Sequence, residues 1–291
     1  PVQTPGPAQT PEPAQTLKPT QTPKPTKTPK PTKTPKPTKT PKPTKTPTPA
    51  EKRQESINKG KWQLKKKHVY YYDSKKKKVK GFVTIKSKKY YFDKKGVQLT
   101  GWQKIKGNYY FFRLKNKADG YMVKNKTINK IKLSKTGEAK AKAKWKKQKL
   151  ALMVECQKIL TKITNATMTT NQKMRADYDY ERKHYYIKGS HTFHYSKHWD
   201  LVYARRMFRD GHGACFEWGA FYAYLANAAG GKVCAAVSSF GHGWAEVDGL
   251  CSDPDWEFAD KRHSYFQFSY DLSGVGGRPN YKNNRSTVKR V

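Results

Sequence analysis

Proline crowds the start of this chain: 16 of the 18 prolines precede Glu51, and from Thr22 to Lys45 the hexad Thr-Pro-Lys-Pro-Thr-Lys repeats without a break. Each proline ring fixes φ and removes a backbone donor, so this spacing forbids both helix and sheet. The expected state is polyproline II, a semi-rigid spacer rising ~3 Å per residue, with a reach on the order of 150 Å. Residues 1–55 are therefore read as a disordered linker that does no chemistry. In a chain of 291 residues the remainder has room for two folded parts.

Charge divides the chain in the same sense. The formal net charge is +40, but residues 1–150 hold 42 basic and 7 acidic side chains against 19 and 14 in residues 151–291. So basic a front attracts polyanions. No helix-turn-helix, zinc finger or single-strand-binding pattern accompanies the lysines, so a specific nucleic-acid partner is not expected. Anionic cell-wall polymers, or simple solubility, account for the charge as well. No run of 18 apolar residues occurs, hence no transmembrane segment is expected. The chain opens Pro-Val-Gln without an initiator Met or a signal-peptide core and is read as a mature or trimmed form.

Residues 56–138 carry an internal repeat. Gly60-Lys61-Trp62, Gly81-Phe82, Gly101-Trp102 and Gly120-Tyr121 recur at intervals of 21, 20 and 19 residues. The first three are followed by aromatic clusters: Tyr70-Tyr71-Tyr72, Tyr90-Tyr91-Phe92 and Tyr109-Tyr110-Phe111-Phe112. Short β-rich runs between turn residues, each too small to bury its own face, predict a stack of β-hairpins. The Gly-aromatic start, the Tyr-Tyr-Phe cluster and the period of about twenty residues resemble the choline- and glucan-binding cell-wall repeats of Gram-positive surface proteins. The resemblance implies aromatic platforms for choline or sugar rings, with Trp62, Tyr90, Trp102 and Tyr109 at the comparable positions. The packing alternative is that these rings are simply the inter-repeat core. Lysines at Lys65-Lys66-Lys67 and Lys75 to Lys78 suit a cationic ligand poorly, which favours a neutral or anionic glycan.

Residues 139–291 read as a separate α+β domain. A basic run from Lys140 to Lys149 leads into an apolar helical stripe of Leu150, Val154, Ile159 and Ile163. Further on, Gly211 and Gly213 flank His212 just before Cys215, and Ala220, Phe221, Tyr224, Leu225 and Ala228 continue at helical spacing to Gly230-Gly231. Cys215 thus opens a helix, where the positive end of the helix and free backbone N–H groups stabilise negative charge on sulfur. An apolar strand from Lys232 to Ser239, a turn with Gly241, a strand opened by His242, and Asp253 before Pro254 complete the order. A thiol, a base and an orienting carboxylate are the components of nucleophilic cysteine catalysis.

The segments Gly-His-Gly-Ala-Cys, His-Gly-Trp-Ala-Glu-Val and Asp-Pro-Asp-Trp resemble, in order and spacing, the transglutaminase-like superfamily. This resemblance implies a papain-like fold, a nucleophile helix packed on an antiparallel sheet. It implies Cys215 as nucleophile, His242 as general base and acid, and Asp253 as orienting acid, with Tyr265 to Leu272 as a last strand. Gly243 and Asp255 depart from the usual Ala and Thr, and Asp255 adds a second carboxylate. Asp248 and Asp260 are remoter alternatives for the acid. Trp199, Glu217, Trp218 and Trp244 are candidates to line the cleft. No cofactor is implied.

Cys234 and Cys251 stand on successive strands and are a possible disulfide in a secreted setting, whereas Cys156 reads as core. His191, His194 and His198 lack nearby carboxylate or cysteine partners, so no metal site is expected there. The resulting expectation is a secreted, wall-associated cysteine enzyme that acts on peptide or amide bonds of a peptide or protein substrate through a thioester. The alternatives are a Gln–Lys cross-linking transglutaminase and a non-catalytic wall adhesin.

Overall fold

The computed structural model describes residues 46–291; the hexad repeats lie outside them. The linker expected to run to residue 55 ends sooner, because Pro49–Asn58 form helix α1. Thr48 caps it: its hydroxyl accepts from the Glu51 N–H at 3.2 Å, and its own N–H donates to the Glu51 carboxylate at 2.7 Å. Such a capping box is worth about 1 kcal/mol, and Pro49 in the first turn needs no intrahelical partner.

Three hairpins follow, β1 (Lys61–Lys65) with β2 (His68–Tyr72), β3 (Gly81–Ile85) with β4 (Lys88–Phe92), and β5 (Gly101–Ile105) with β6 (Asn108–Phe112). Each closes through two residues of positive φ: Lys66-Lys67 (47° and 61°), Lys86-Ser87 (45° and 67°) and Lys106-Gly107 (48° and 85°). These primed turns match the twist of the strands. Apolar rings from adjacent hairpins share small cores, one around Tyr71, Val83, Tyr90 and Phe92 and the next around Ile105, Tyr110, Phe112 and Met122. A three-stranded sheet of β7 (Thr127–Ile128), β8 (Ile131–Leu133) and β9 (Ala139–Lys140) comes next in the chain.

The rest is mixed helix and sheet. Helices α2 (Lys144–Ile163) and α3 (Thr170–His184) precede a short β10 (Tyr186–Ile187), α4 (Trp199–Asp210) and β11 (His212–Gly213), which pairs parallel with β10. Helix α5 (Cys215–Ala229) is buried along almost its whole length, with α2, α3 and α4 on one side and the sheet on the other. That sheet is antiparallel throughout, in the order β14 (Leu250–Ser252), β13 (Gly243–Val247), β12 (Cys234–Ser238), β15 (Thr287–Arg290), with a one-turn helix α6 (Trp256–Ala259) after β14. The last strand is therefore residues 287–290 and not Tyr265 to Leu272, where only a single bridge from Phe268 to Cys251 and a 3-10 turn form.

One core runs through both halves. Trp102, Ile131 and Leu133 pack with Leu150, Met153, Tyr224 and Leu225. At Gly101 (φ +70°) an added Cβ would lie 1.8 Å from the Gln157 Oε1 of α2, so the third hairpin meets the helix with bare backbone. Each apolar side chain buried there is worth about 1.5–3 kcal/mol. No helix among the described residues is long and apolar enough to cross a membrane.

Candidate functional site

Cys215 is the first residue of α5 and has no exposed surface. Ala214 offers no capping side chain, so Glu217 does the work from three residues on. Its carboxylate accepts from the Ala214 N–H at 3.2 Å and from Arg206 at 2.7 Å. The sheet brings His242 to the thiol: it immediately precedes β13, and β13 runs against α5. Gly243 makes that approach feasible, because a Cβ there would sit 2.8 Å from the Phe216 Cα.

The Cys215 sulfur, a ring nitrogen of His242 and a carboxylate oxygen of Asp255 all lie within 4.8 Å of one another. His242 Nε2 is 2.5 Å from Asp253 Oδ2, which leaves Nδ1 for the thiol. Asp253 is fully buried and held on every side. Tyr281 donates its hydroxyl proton to Oδ2 at 2.7 Å, and the Trp256 N–H donates to Oδ1 at 3.0 Å. Trp244, Trp256 and Tyr281 surround the His242 ring at centroid distances of 6.0, 5.4 and 6.2 Å. Burial alone would lower the His242 pKa, but the Asp253 carboxylate, with Cys215, holds it well above the ordinary imidazole value. Asp255 moves the other way for a carboxyl group: burial first, then repulsion from Asp253, pushes it up to about 7 despite His242.

The structure also brings to the thiol a residue whose role the sequence hides. His191 Nδ1 is 3.4 Å from the Cys215 sulfur. It is carried by the segment between β10 and α4, which is pinned by Phe193 against Phe216 (5.0 Å) and Phe240 (5.3 Å) and by the His194 N–H donating to Tyr203. Its neighbours in the sequence go elsewhere; His198 stacks on Trp145. The only signal for His191 was the histidine triplet itself. Tyr281 had none.

Other expectations need correction. Trp199, Glu217, Trp218 and Trp244 do not line a cleft; all four are buried, and the Trp218 indole donates to the Gly213 carbonyl at 3.1 Å. Cys234 and Cys251 are free. Strand β13 lies between theirs, and two strand spacings, about 9.6 Å, exceed the reach of a disulfide. The alternative acids are occupied elsewhere. Asp248 accepts from the Lys232 and Val233 N–H groups, and Asp260 is bound by Arg262, His263 and Tyr265.

Among the repeat aromatics, Trp102 is buried and donates its indole N–H to Asn129 at 3.1 Å, so it presents no platform. Trp62 is half-buried. It meets Tyr71 and Tyr90 at 4.9 and 5.2 Å, and with Lys86 and Lys88 they line a pocket of about 260 Å³. Tyr90 itself is buried, its hydroxyl donating to the Ala118 carbonyl at 2.8 Å. Tyr109 is half-buried under Lys104 at 5.5 Å. Lysine ammonium groups likewise stand over Tyr70, Tyr72, Phe82 and Tyr121 at 4.2, 5.1, 4.5 and 4.6 Å.

Residues 79–126 match the choline-binding repeat family. Among solved structures, the chain is similar to choline-binding protein F of Streptococcus pneumoniae, determined in the presence of a peptidoglycan analogue, at 25% identity over 28% of this chain and 26% of that one, with a TM-score of 0.25. It is similar to CbpJ of Streptococcus pneumoniae at 26% identity over 27% and 26% of the two chains, TM-score 0.25. Truncated alternansucrase of Leuconostoc mesenteroides matches at 27% identity over 28% of this chain and 7% of that one, TM-score 0.24. The chain spans about a quarter of the length of the pneumococcal proteins. No curated protein matches it.

Proposed function

We propose that the hairpin repeats attach this chain to a bacterial cell wall and that the domain after them is a cysteine enzyme acting on amide bonds. The match of residues 79–126 to the choline-binding repeat carries the first half. Lysines stand over five of the repeat rings, Tyr70, Tyr72, Phe82, Tyr109 and Tyr121, and so place positive charge beside the repeats' aromatic surface. The preferred ligand is then an anionic wall polymer, whose binding to many lysines weakens with salt. Binding of the protein to isolated walls, followed by elution with salt or with free choline, tests this. Release by salt and retention in choline is expected; release by choline alone reverses the ligand assignment, and no binding to walls removes the attachment role.

The second half rests on the juxtaposition of Cys215, His242 and Asp253 and on the transglutaminase-like resemblance of their segments. The Cys215 sulfur attacks the carbonyl carbon of an amide, giving a tetrahedral oxyanion held by the Cys215 N–H at the head of α5. His191, beside the sulfur, is placed to add a second donor; one such donor is worth roughly 2.7–4 kcal/mol. His242 takes the thiol proton as the sulfur attacks, holds it through its pairing with Asp253 and delivers it to the departing nitrogen as the C–N bond breaks. The thioester left on Cys215 is then resolved by water, in a peptidase or amidase, or by a primary amine, in a transamidase. We favour water as the acceptor. Incorporation of a fluorescent amine into a Gln-bearing protein by the wild type would overturn that preference.

One observation favours a second reading, a wall adhesin without catalysis: Cys215 is wholly covered. Cys215→Ala separates the two. An adhesin keeps its full function in this variant, whereas an enzyme loses all turnover.

A further inference from the structure

We propose that Cys215, His242 and Asp255 form a binding site for a thiophilic divalent cation, zinc above all, and that metal occupancy and thiol chemistry exclude one another. Among the described residues this is the one place where three groups of metal-ligating type converge, and their donor atoms lie within 4.8 Å of each other. They come from three elements: the head of α5, the lead-in to β13 and the turn before α6. Tetrahedral zinc bonded to sulfur at about 2.3 Å and to nitrogen and oxygen at about 2.0 Å spaces its donors roughly 3.3–3.6 Å apart. Side-chain adjustments on the order of 1 Å close the site to that size. His191 Nδ1 is 3.4 Å from the sulfur but lies outside this mutually close set, so the fourth position is left to solvent.

The surroundings fit a metal as well as they fit a base. A metal-bound imidazole commonly donates its other N–H to a carboxylate, which fixes the tautomer and aims the free nitrogen. Asp253 does this for His242, and Tyr281 and the Trp256 N–H hold Asp253 in turn. Asp255 has no part in the acyl-transfer chemistry, and its carboxylate forms no hydrogen bond among the described side chains. Yet it is buried beside the sulfur, and together a thiolate and a carboxylate neutralise a dication. Binding displaces the thiol proton, and any proton on His242 Nδ1 or Asp255, to solvent. The proposal needs only this donor set and stands whether or not the domain is an enzyme.

The test uses the full chain stripped of metal with EDTA, with cobalt and zinc ions alone as probes. One equivalent of Co²⁺ is expected to give a near-ultraviolet thiolate-to-cobalt charge-transfer band with the strong visible bands of a tetrahedral site, and Zn²⁺ to abolish both. Cys215→Ser removes the charge-transfer band and Cys234→Ser keeps it. Asp255→Asn weakens zinc binding at least tenfold. Without any substitution, zinc protects Cys215 from iodoacetamide, as read by peptide mapping, so a variant that folds poorly does not decide the matter. Absence of the band in the wild type, its survival in Cys215→Ser, unchanged affinity in Asp255→Asn, or unimpeded alkylation of Cys215 under saturating zinc would each overturn the proposal.

Discussion

The repeats and the α5 domain solve opposite problems. In the repeats one solution is used three times over: Gly-aromatic start, primed turn, aromatic second strand, a small core shared with the next hairpin. In the α5 domain a single constellation is drawn from positions 191, 215, 242, 253, 255 and 281, and nothing in it recurs. The comparison teaches that repetition spreads function over equivalent positions. Convergence instead concentrates it in groups that tolerate no substitute. Losses should therefore be partial and graded in the first region and nearly complete in the second.

The largest test of that contrast lies at Asp253. Asp253→Asn keeps the shape but withdraws the charge that orients and protonates His242, and turnover should fall on the order of 10⁴-fold, with wall binding untouched. Steady-state kinetics and a wall pull-down on the same preparation check both. A next test asks whether the third hairpin belongs to the repeats or to the domain. Trp102→Ala empties a buried site facing α2 and α5, and should cost about 3–5 kcal/mol of stability. Denaturant unfolding reads this, and a single shared transition is expected.

A third concerns the price the domain pays inside α3. Asp177 and Glu181 are fully buried, and none of their carboxylate oxygens finds a hydrogen-bond partner among the described residues. Burial pushes both pKa values well above 3.8 and 4.5; nearby Lys173 opposes this at Asp177, while Asp177 and Asp255 add to it at Glu181. The folded chain therefore holds these protons to higher pH than the unfolded chain does, so stability falls as pH rises above those ordinary values. The double substitution Asp177→Asn, Glu181→Gln should stabilise the fold by about 1–3 kcal/mol near pH 8, with the gain vanishing toward pH 4. Melting curves across that range decide it. The smallest effect belongs to the repeats: Trp62→Ala should weaken wall retention only about tenfold, or about 1.4 kcal/mol, because neighbouring hairpins still bind.

Much of this organisation was legible in the chain. The hairpins were, because a period near twenty residues survives any number of lysine replacements. So was the convergence of Cys215, His242 and Asp253, because each sits in its own local motif beside a helix start or a strand. What the sequence concealed depends on distance. His191 and Tyr281 reach the site from 24 residues before Cys215 and 28 after Asp253, in segments with no periodicity. Trp102 looks like every other repeat aromatic until α2 covers it. Cys234 and Cys251 lie on consecutive apolar runs, and only the sheet order shows that a whole strand separates them. The cleft candidates failed for a related reason: a tryptophan near Cys215 or His242 in the sequence serves the helix–sheet core, which buries Trp199, Trp218 and Trp244.

The central proposal is that Cys215 performs acyl transfer in the domain that follows the repeats. Incubating the full chain and its Cys215→Ala variant with a peptide library containing Gln and Lys, and reading product masses, tests it most directly. The wild type should cleave or deamidate its targets, and Cys215→Ala should leave every peptide intact while still binding walls. Unaltered peptides with the wild type, or the same products from Cys215→Ala, would contradict it.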